Sequence, residues 1–97
     1  MAICHRQDDL RSCGATTIAT GQNFVFVDGK LWSVEGDVNT HGGGALIASK
    51  SFIKINGKSV IVVNDNAFPD SLCGVKGQSV EHCNPKAVTG SSTVNVT

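Results

Sequence analysis

The sequence predicts a small all-β domain built from repeated hairpins, and three observations carry that expectation. One module occurs twice without a gap. When the chain is shifted against itself so that Asp9 falls on Asp37, Asp37 falls on Asp65, Cys13 on His41, Phe24 on Phe52, and Gly29-Lys30 on Gly57-Lys58. Alternating apolar runs flank Asp28-Gly29 and Asn56-Gly57. These dipeptides suit two-residue hairpin turns, in which both central residues must accept positive φ. No window carries helical periodicity, while glycine is abundant and β-branched residues crowd the middle and the end.

The elements follow in order. Residues 1–8 are short and partly apolar, and Asp8-Asp9 begins a turn. Thr16 to Ala19 predicts a short strand, Phe24 to Val27 a strand, and Leu31 to Val34 its return strand. In the second copy these become Ala45 to Ala48, Phe52 to Ile55 and Val60 to Val63. Residues 66–86 hold both prolines and predict a loop. The C-terminus then lies on the second copy with His82 under His41, Val88 under Ile47, Val94 under Ile53, Val96 under Ile55 and Thr97 under Asn56. The chain stops where a hairpin turn would begin. At the other end Ile3 falls under Leu31 and Cys4 under Trp32, so the N-terminus supplies the missing return strand. The expectation is one domain over 1–97, made of three pseudo-threefold modules (about 9–37, 37–65, and 65–97 plus 1–9) closed into a ring. Closure removes free strand edges. The third module is longer than the other two. Its extra segment lies between Asp65 and His82 and contains Cys73.

Composition narrows the function. A chain of 97 residues buries only a marginal core. A net charge of zero gives nucleic-acid binding no electrostatic support. No apolar run approaches the roughly 20 residues of a spanning helix. The N-terminus lacks a signal peptide's apolar centre, which predicts a product made and kept in the cytosol until something moves it. Four cysteines would form two disulfides in a secreted module; mixed with histidines in a reducing compartment, they point to metal.

Equivalent positions in a threefold ring converge near its axis. Here they hold Cys13, His41 and His82, and the insertion offers Cys73 as a fourth ligand. Thiolate and imidazole are preferred zinc ligands, and a closed four-ligand site is structural. Iron is the alternative ion. Cys83 and His5 are reserve ligands, although the repeat equivalents of His5 are Ser33 and Ile61. Cys4 predicts a small buried apolar residue. Gly42-Gly43-Gly44 predicts a tight turn beside the metal, since no P-loop Lys-Ser/Thr follows. A small zinc metalloenzyme is the competing functional class; it would need an open coordination position and a nearby base, and spare acids are few.

The run Gly36-Asp37-Val38-Asn39-Thr40-His41-Gly42-Gly43, then Ile47, Phe52-Ile53-Lys54-Ile55-Asn56-Gly57-Lys58 and Asn64-Asp65 resembles PAAR-repeat proteins over nearly the whole chain. The resemblance implies a small conical fold of β-hairpins, without enzymatic activity, that caps the trimeric β-helical spike of a contractile phage tail or type VI secretion system. It implies a virion location at the baseplate spike, one chain per spike trimer and transient contact with a bacterial outer membrane. It also implies a zinc near the vertex, bound in family members by three histidines and a cysteine. Carried over by position, the ligands are Cys13, His41, Cys73 and His82. Position 13 is Cys where the family has His, so either the site is Cys2His2 or His5 takes the place of Cys13. The Pro-Ala-Ala-Arg string itself is absent. Residues near Phe24, Trp32 and Phe52 are the expected docking face for the spike.

Overall fold

The computed structural model describes residues 2–51, 53–91 and 94–96; the expectations for Phe52 and Thr97 lie outside the described residues. The protein is all-β. Its described strands are β1 (Ala2–Ile3), β2 (Thr17–Ile18), β3 (Phe26–Val27), β4 (Lys30–Leu31), β5 (Val38–Asn39), β6 (Lys54–Ile55), β7 (Lys58–Ser59) and β8 (Asn95–Val96), with one 3-10 turn at Val80–Cys83. The strands pair antiparallel as β1–β8, β2–β5, β3–β4 and β6–β7. Asp28 and Asn56 take φ of 54° and 56° and the glycines after them 80°, as the hairpin dipeptides require. The third hairpin has no such turn. It is made by the chain ends, with Ala2 opposite Val96 and Ile3 opposite Asn95.

Beneath the hairpins the three modules join in a closed cycle. The His5 N–H donates to Ile61 O (3.1 Å), the Ser33 N–H to His5 O (3.0 Å) and the Ile61 N–H to Ser33 O (2.9 Å). Bridges Arg6↔Trp32, Val34↔Val60 and Cys4↔Val62 flank it, again one per module boundary. This explains why the predicted strands are cut short. Leu31 still pairs within its hairpin and the Trp32 N–H still donates to Val25 O, but the bridges at Trp32 and Val34 are made to neighbouring modules. No segment stays on one partner long enough to build a longer ladder.

Each module then turns at its aspartate. The N–H groups of Asp9, Asp37 and Asp65 donate to the carbonyls of Arg6, Val34 and Val62, each at 3.1 Å. The carboxylates receive the N–H groups of the same three residues at 2.8, 2.9 and 3.0 Å. The residue before each aspartate has positive φ: Asp8 69°, Gly36 92°, Asn64 80°. That conformation suits Gly, Asn and Asp and few other residues. The recurrence of aspartate is therefore explained by turn capping rather than by acid chemistry.

A second tier follows, with Thr17 opposite Asn39, Leu46 opposite Ala67 and Ala87 opposite Arg11. Here the gapless register needs correction. The shift that lays Asp9 on Asp37 places Thr17 on Ala45, but the N–H groups that bond to Asp9 O, Asp37 O and Asp65 O belong to Thr17, Leu46 and Ala87. The second module spends one extra position in Gly42–Gly44, all at positive φ. Register is regained by Val25, Ile53 and Val94, whose carbonyls accept from Trp32, Val60 and Cys4.

Cys4, Val27, Trp32, Val34, Ile55 and Val60 pack around the ring, and Leu46, Ile61, Ala67 and Ala87 pack below it. Trp32, expected near a docking face, is in this core and donates its indole N–H to Ile61 O at 3.0 Å. The aromatic that remains exposed in the same module is Phe24, joined by Phe26.

Candidate metal centre

The axial end beyond the second tier gathers Cys13, His41, Asp70 and His82, with one donor atom from each lying within 4.8 Å of all the others. Loops and the 3-10 turn bring them there. Cys13 follows the Arg11 bridge, in a turn closed by the Gly14 N–H on Arg11 O. His41 is fixed by its own N–H donating to Asn39 Oδ1 at 2.9 Å. The glycines after it let the chain double back. A Cβ on Gly44 would lie 2.5 Å from Asn39 Nδ2, so that residue must stay bare. His82 sits in the 3-10 turn, whose Ser79 side chain accepts the Glu81 N–H. Asp70 is reached through the insertion, and its N–H donates to His82 O at 2.8 Å.

Of the residues expected from sequence, Cys13, His41 and His82 thus converge. Cys73 does not. Its sulfur is bonded to Cys83, which removes both from the ligand set and leaves Cys4 and Cys13 as the free cysteines. The fourth donor does come from the insertion, but it is the Asp70 carboxylate, slightly earlier in the chain. The two-disulfide reading of the cysteines fails on the same observation. Cys4 is fully buried in the ring core, as its apolar reading requires.

His5, the other reserve ligand, is used elsewhere. Its Nδ1 lies 2.7 Å from Thr89 O and its Nε2 2.6 Å from Thr17 Oγ1. A carbonyl only accepts, so Nδ1 carries the proton. Thr17 Oγ1 already accepts from the Arg11 Nε at 2.5 Å, so its own hydrogen goes to His5 Nε2. His5 is therefore held neutral, and burial pushes its pKa down to about 4.

Three of the donor separations suit one ion. Cys13 Sγ lies 3.7 Å from His41 Nδ1; Asp70 Oδ2 lies 3.4 Å from His41 Nδ1 and 3.2 Å from His82 Nδ1. Bonds of about 2.0–2.3 Å at tetrahedral angles give edges of about 3.3–3.7 Å. The histidine rings are tilted by 47°, centroids 5.0 Å apart. One thiolate and one carboxylate would neutralise a divalent cation. Burial pushes the Cys13 thiol up, and Asp70 adds to the effect, so without an ion it keeps its proton. Burial would also raise Asp70, but the Leu72 N–H and the side chains of His82, Cys13 and Asn39 outweigh it and hold the carboxyl at about 2. An ion would displace the Cys13 proton.

Two residues that the sequence did not single out support the donors. Asn39 Nδ2 reaches both Asp70 Oδ2 (3.3 Å) and Cys13 Sγ (3.8 Å). Arg11, at the position structurally equivalent to Asn39, is 2 % exposed. Besides Thr17, it donates to Gly44 O, Pro85 O and Asp37 O at 2.8, 2.9 and 3.2 Å, and so ties all three modules together under the centre. Among the described residues every buried side-chain polar atom has a partner. The pseudo-equivalence of positions 11 and 39 was the available signal, but Arg and Asn differ too much to be matched by type.

No protein-family model and no curated protein sequence matches this chain.

Proposed function

We propose that the chain is a PAAR-like spike tip, a mechanical cap on a homotrimeric β-helical spike. The observation that carries this reading is the His5–Ser33–Ile61 hydrogen-bond cycle, by which one polypeptide acquires near-threefold symmetry. A single chain that must seat on a trimer needs a face that presents three similar edges. The antiparallel pairs β3–β4, β6–β7 and β1–β8 form such a set, and edge pairing would extend the spike's own strands. Phe24 and Phe26, 61 % and 59 % exposed, add apolar surface beside one of these pairs.

In this reading the ion at Cys13, His41, Asp70 and His82 is zinc, a structural brace for the opposite end. Four side-chain donors for a four-coordinate ion leave no position for a substrate or an activated water, which disfavours the metalloenzyme. The tip would be carried on a tail baseplate and touch an outer membrane only in passing. Native mass spectrometry of the chain with a trimeric spike tests the proposal. One chain per trimer is expected, whereas a 3:3 complex refutes it. Elemental analysis should give one zinc per chain.

A further inference from the structure

We infer that the Cys73–Cys83 disulfide is a redox latch on the metal centre: closed, it retains the ion, and open, it lets the ion exchange. The inference rests on the metal reading above and adds a control to it. The insertion and the 3-10 turn that ends it contribute two of the donors, Asp70 and His82. The disulfide joins Cys73, just after Asp70, to Cys83, directly after His82, across a sequence separation of 10. It therefore fastens together the two segments whose donors must stay in register. Little else does so on the outer side. Residues 74–81 between the cysteines are all exposed, Val80 at 82 %, and add nothing to either apolar cluster. Without the bridge, Asp70 and His82 are joined directly only by one backbone hydrogen bond and their own side-chain contact, with Asn84 tied to Asn66 and Ala67 further from the donors.

Accessibility points the same way. Cys83 is exposed and Cys73 half-buried, whereas Cys4 is fully buried and Cys13 is a donor. A small-molecule thiol can therefore reach this pair without opening the core. Its thiolate attacks Cys83 Sγ, the S–S bond breaks, and Cys73 leaves and takes up a proton. A second thiol then attacks the mixed disulfide and frees Cys83. In balance, two thiols become one disulfide, and two electrons and two protons pass to the protein sulfurs. A thiol-rich compartment thus leaves the site open to loading and exchange, and an oxidising one closes it over the ion.

The test is zinc release from the loaded full-length chain to a chromogenic chelator, measured on three samples: the oxidised protein, the same protein treated with a phosphine reductant, and the Cys73→Ser/Cys83→Ser variant. Release should be roughly 10–100-fold faster from the second and third samples, the range for losing groups that support metal ligands. Indistinguishable rates overturn the latch while leaving the centre intact. Slower release after reduction also overturns it, because the freed thiols would then be ligands. Absence of zinc from every sample removes the centre and the latch together. Amide protection of Ser33 and Ile61 monitors the fold. If the double variant loses that protection, reduced wild type decides, and loss of protection there means that the disulfide holds the whole domain rather than the ion.

Discussion

The two ends of this molecule use the same threefold plan to opposite purposes. Around the ring, three modules repeat the same bonds with different side chains: Trp32, Val60 and Cys4 are equivalent, as are His5, Ser33 and Ile61. Backbone geometry sets the pattern there, and the residue types need only fit. At the end that gathers the candidate metal donors the side chains matter and the symmetry breaks. Three modules deliver Cys13, His41 and His82, and a fourth donor, Asp70, arrives by an insertion into one of them. Threefold symmetry supplies three donors, and taking the fourth from a side chain of one module, Asp70, is what makes this site asymmetric.

If the two ends are separable, removing the ion should spare the ring. A chelator should lower stability by about 4 kcal/mol when the ion was present at about a thousand times its Kd. Amides of Ser33 and Ile61 should nevertheless stay protected from exchange in the chelated protein. The converse lesion is Ile61→Ala, a fully buried site shared by the ring and the lower core. Denaturant unfolding should show a loss of about 3 kcal/mol; on the function proposed above, the folded fraction should keep its zinc stoichiometry.

Acid probes the link between the ends, because His5 contacts both the ring and the Thr17–Arg11 chain. His5 is neutral when folded and titrates at about 4, against 6.5 when unfolded. Between those values the unfolded state binds the extra proton, so stability is full above the unfolded value and declines as pH falls toward the folded one. The loss is about 3 kcal/mol, and His5→Phe should flatten that slope in urea melts recorded across the window. A smaller effect comes from the turns. Asp37→Asn keeps the shape but weakens bonds to Ser33, Val34, Thr20 and Gly21. It should cost about 2 kcal/mol by thermal or chemical melting. Least of all, Phe24→Ser at an exposed position should change stability by less than about 0.5 kcal/mol; on the function proposed above, it should also weaken capture by a spike trimer.

The difference between the ends also governed what could be read from the sequence. The ring was legible because its constraints are local and recur: an Asp-Gly or Asn-Gly turn, alternating apolar residues, an aspartate cap. Even the pairing of the chain ends followed from laying Ile3 under Leu31 and Val94 under Ile53. The slip at Thr17 and Leu46 was hidden because the extra glycine is recovered before Val25 and Ile53, so a gapless alignment still fits on either side. The metal end was half legible. Cys13, His41 and His82 follow from position. Within the insertion, ligand chemistry alone favours Cys73 over the acids, Asp70 and Glu81. What decides otherwise is that Cys83 lies in the same excursion, close enough for the two sulfurs to satisfy each other. Asp70 then fills the place, held by the His82 carbonyl and the Leu72 N–H.

The closed cycle of His5, Ser33 and Ile61 also bears on how the chain is made. Two of its bonds each span one module and the third spans two, and β1 waits for β8, the last of the described strands. On a ribosome the first two hairpins can form as they emerge, but β1 stays unpaired until β8 has also been made. With so few local contacts the final closure should be slow relative to that of a helical domain of equal size. The emerging chain therefore carries β1 unpaired while all three modules are being made, an exposure that a fold of purely local pairings avoids.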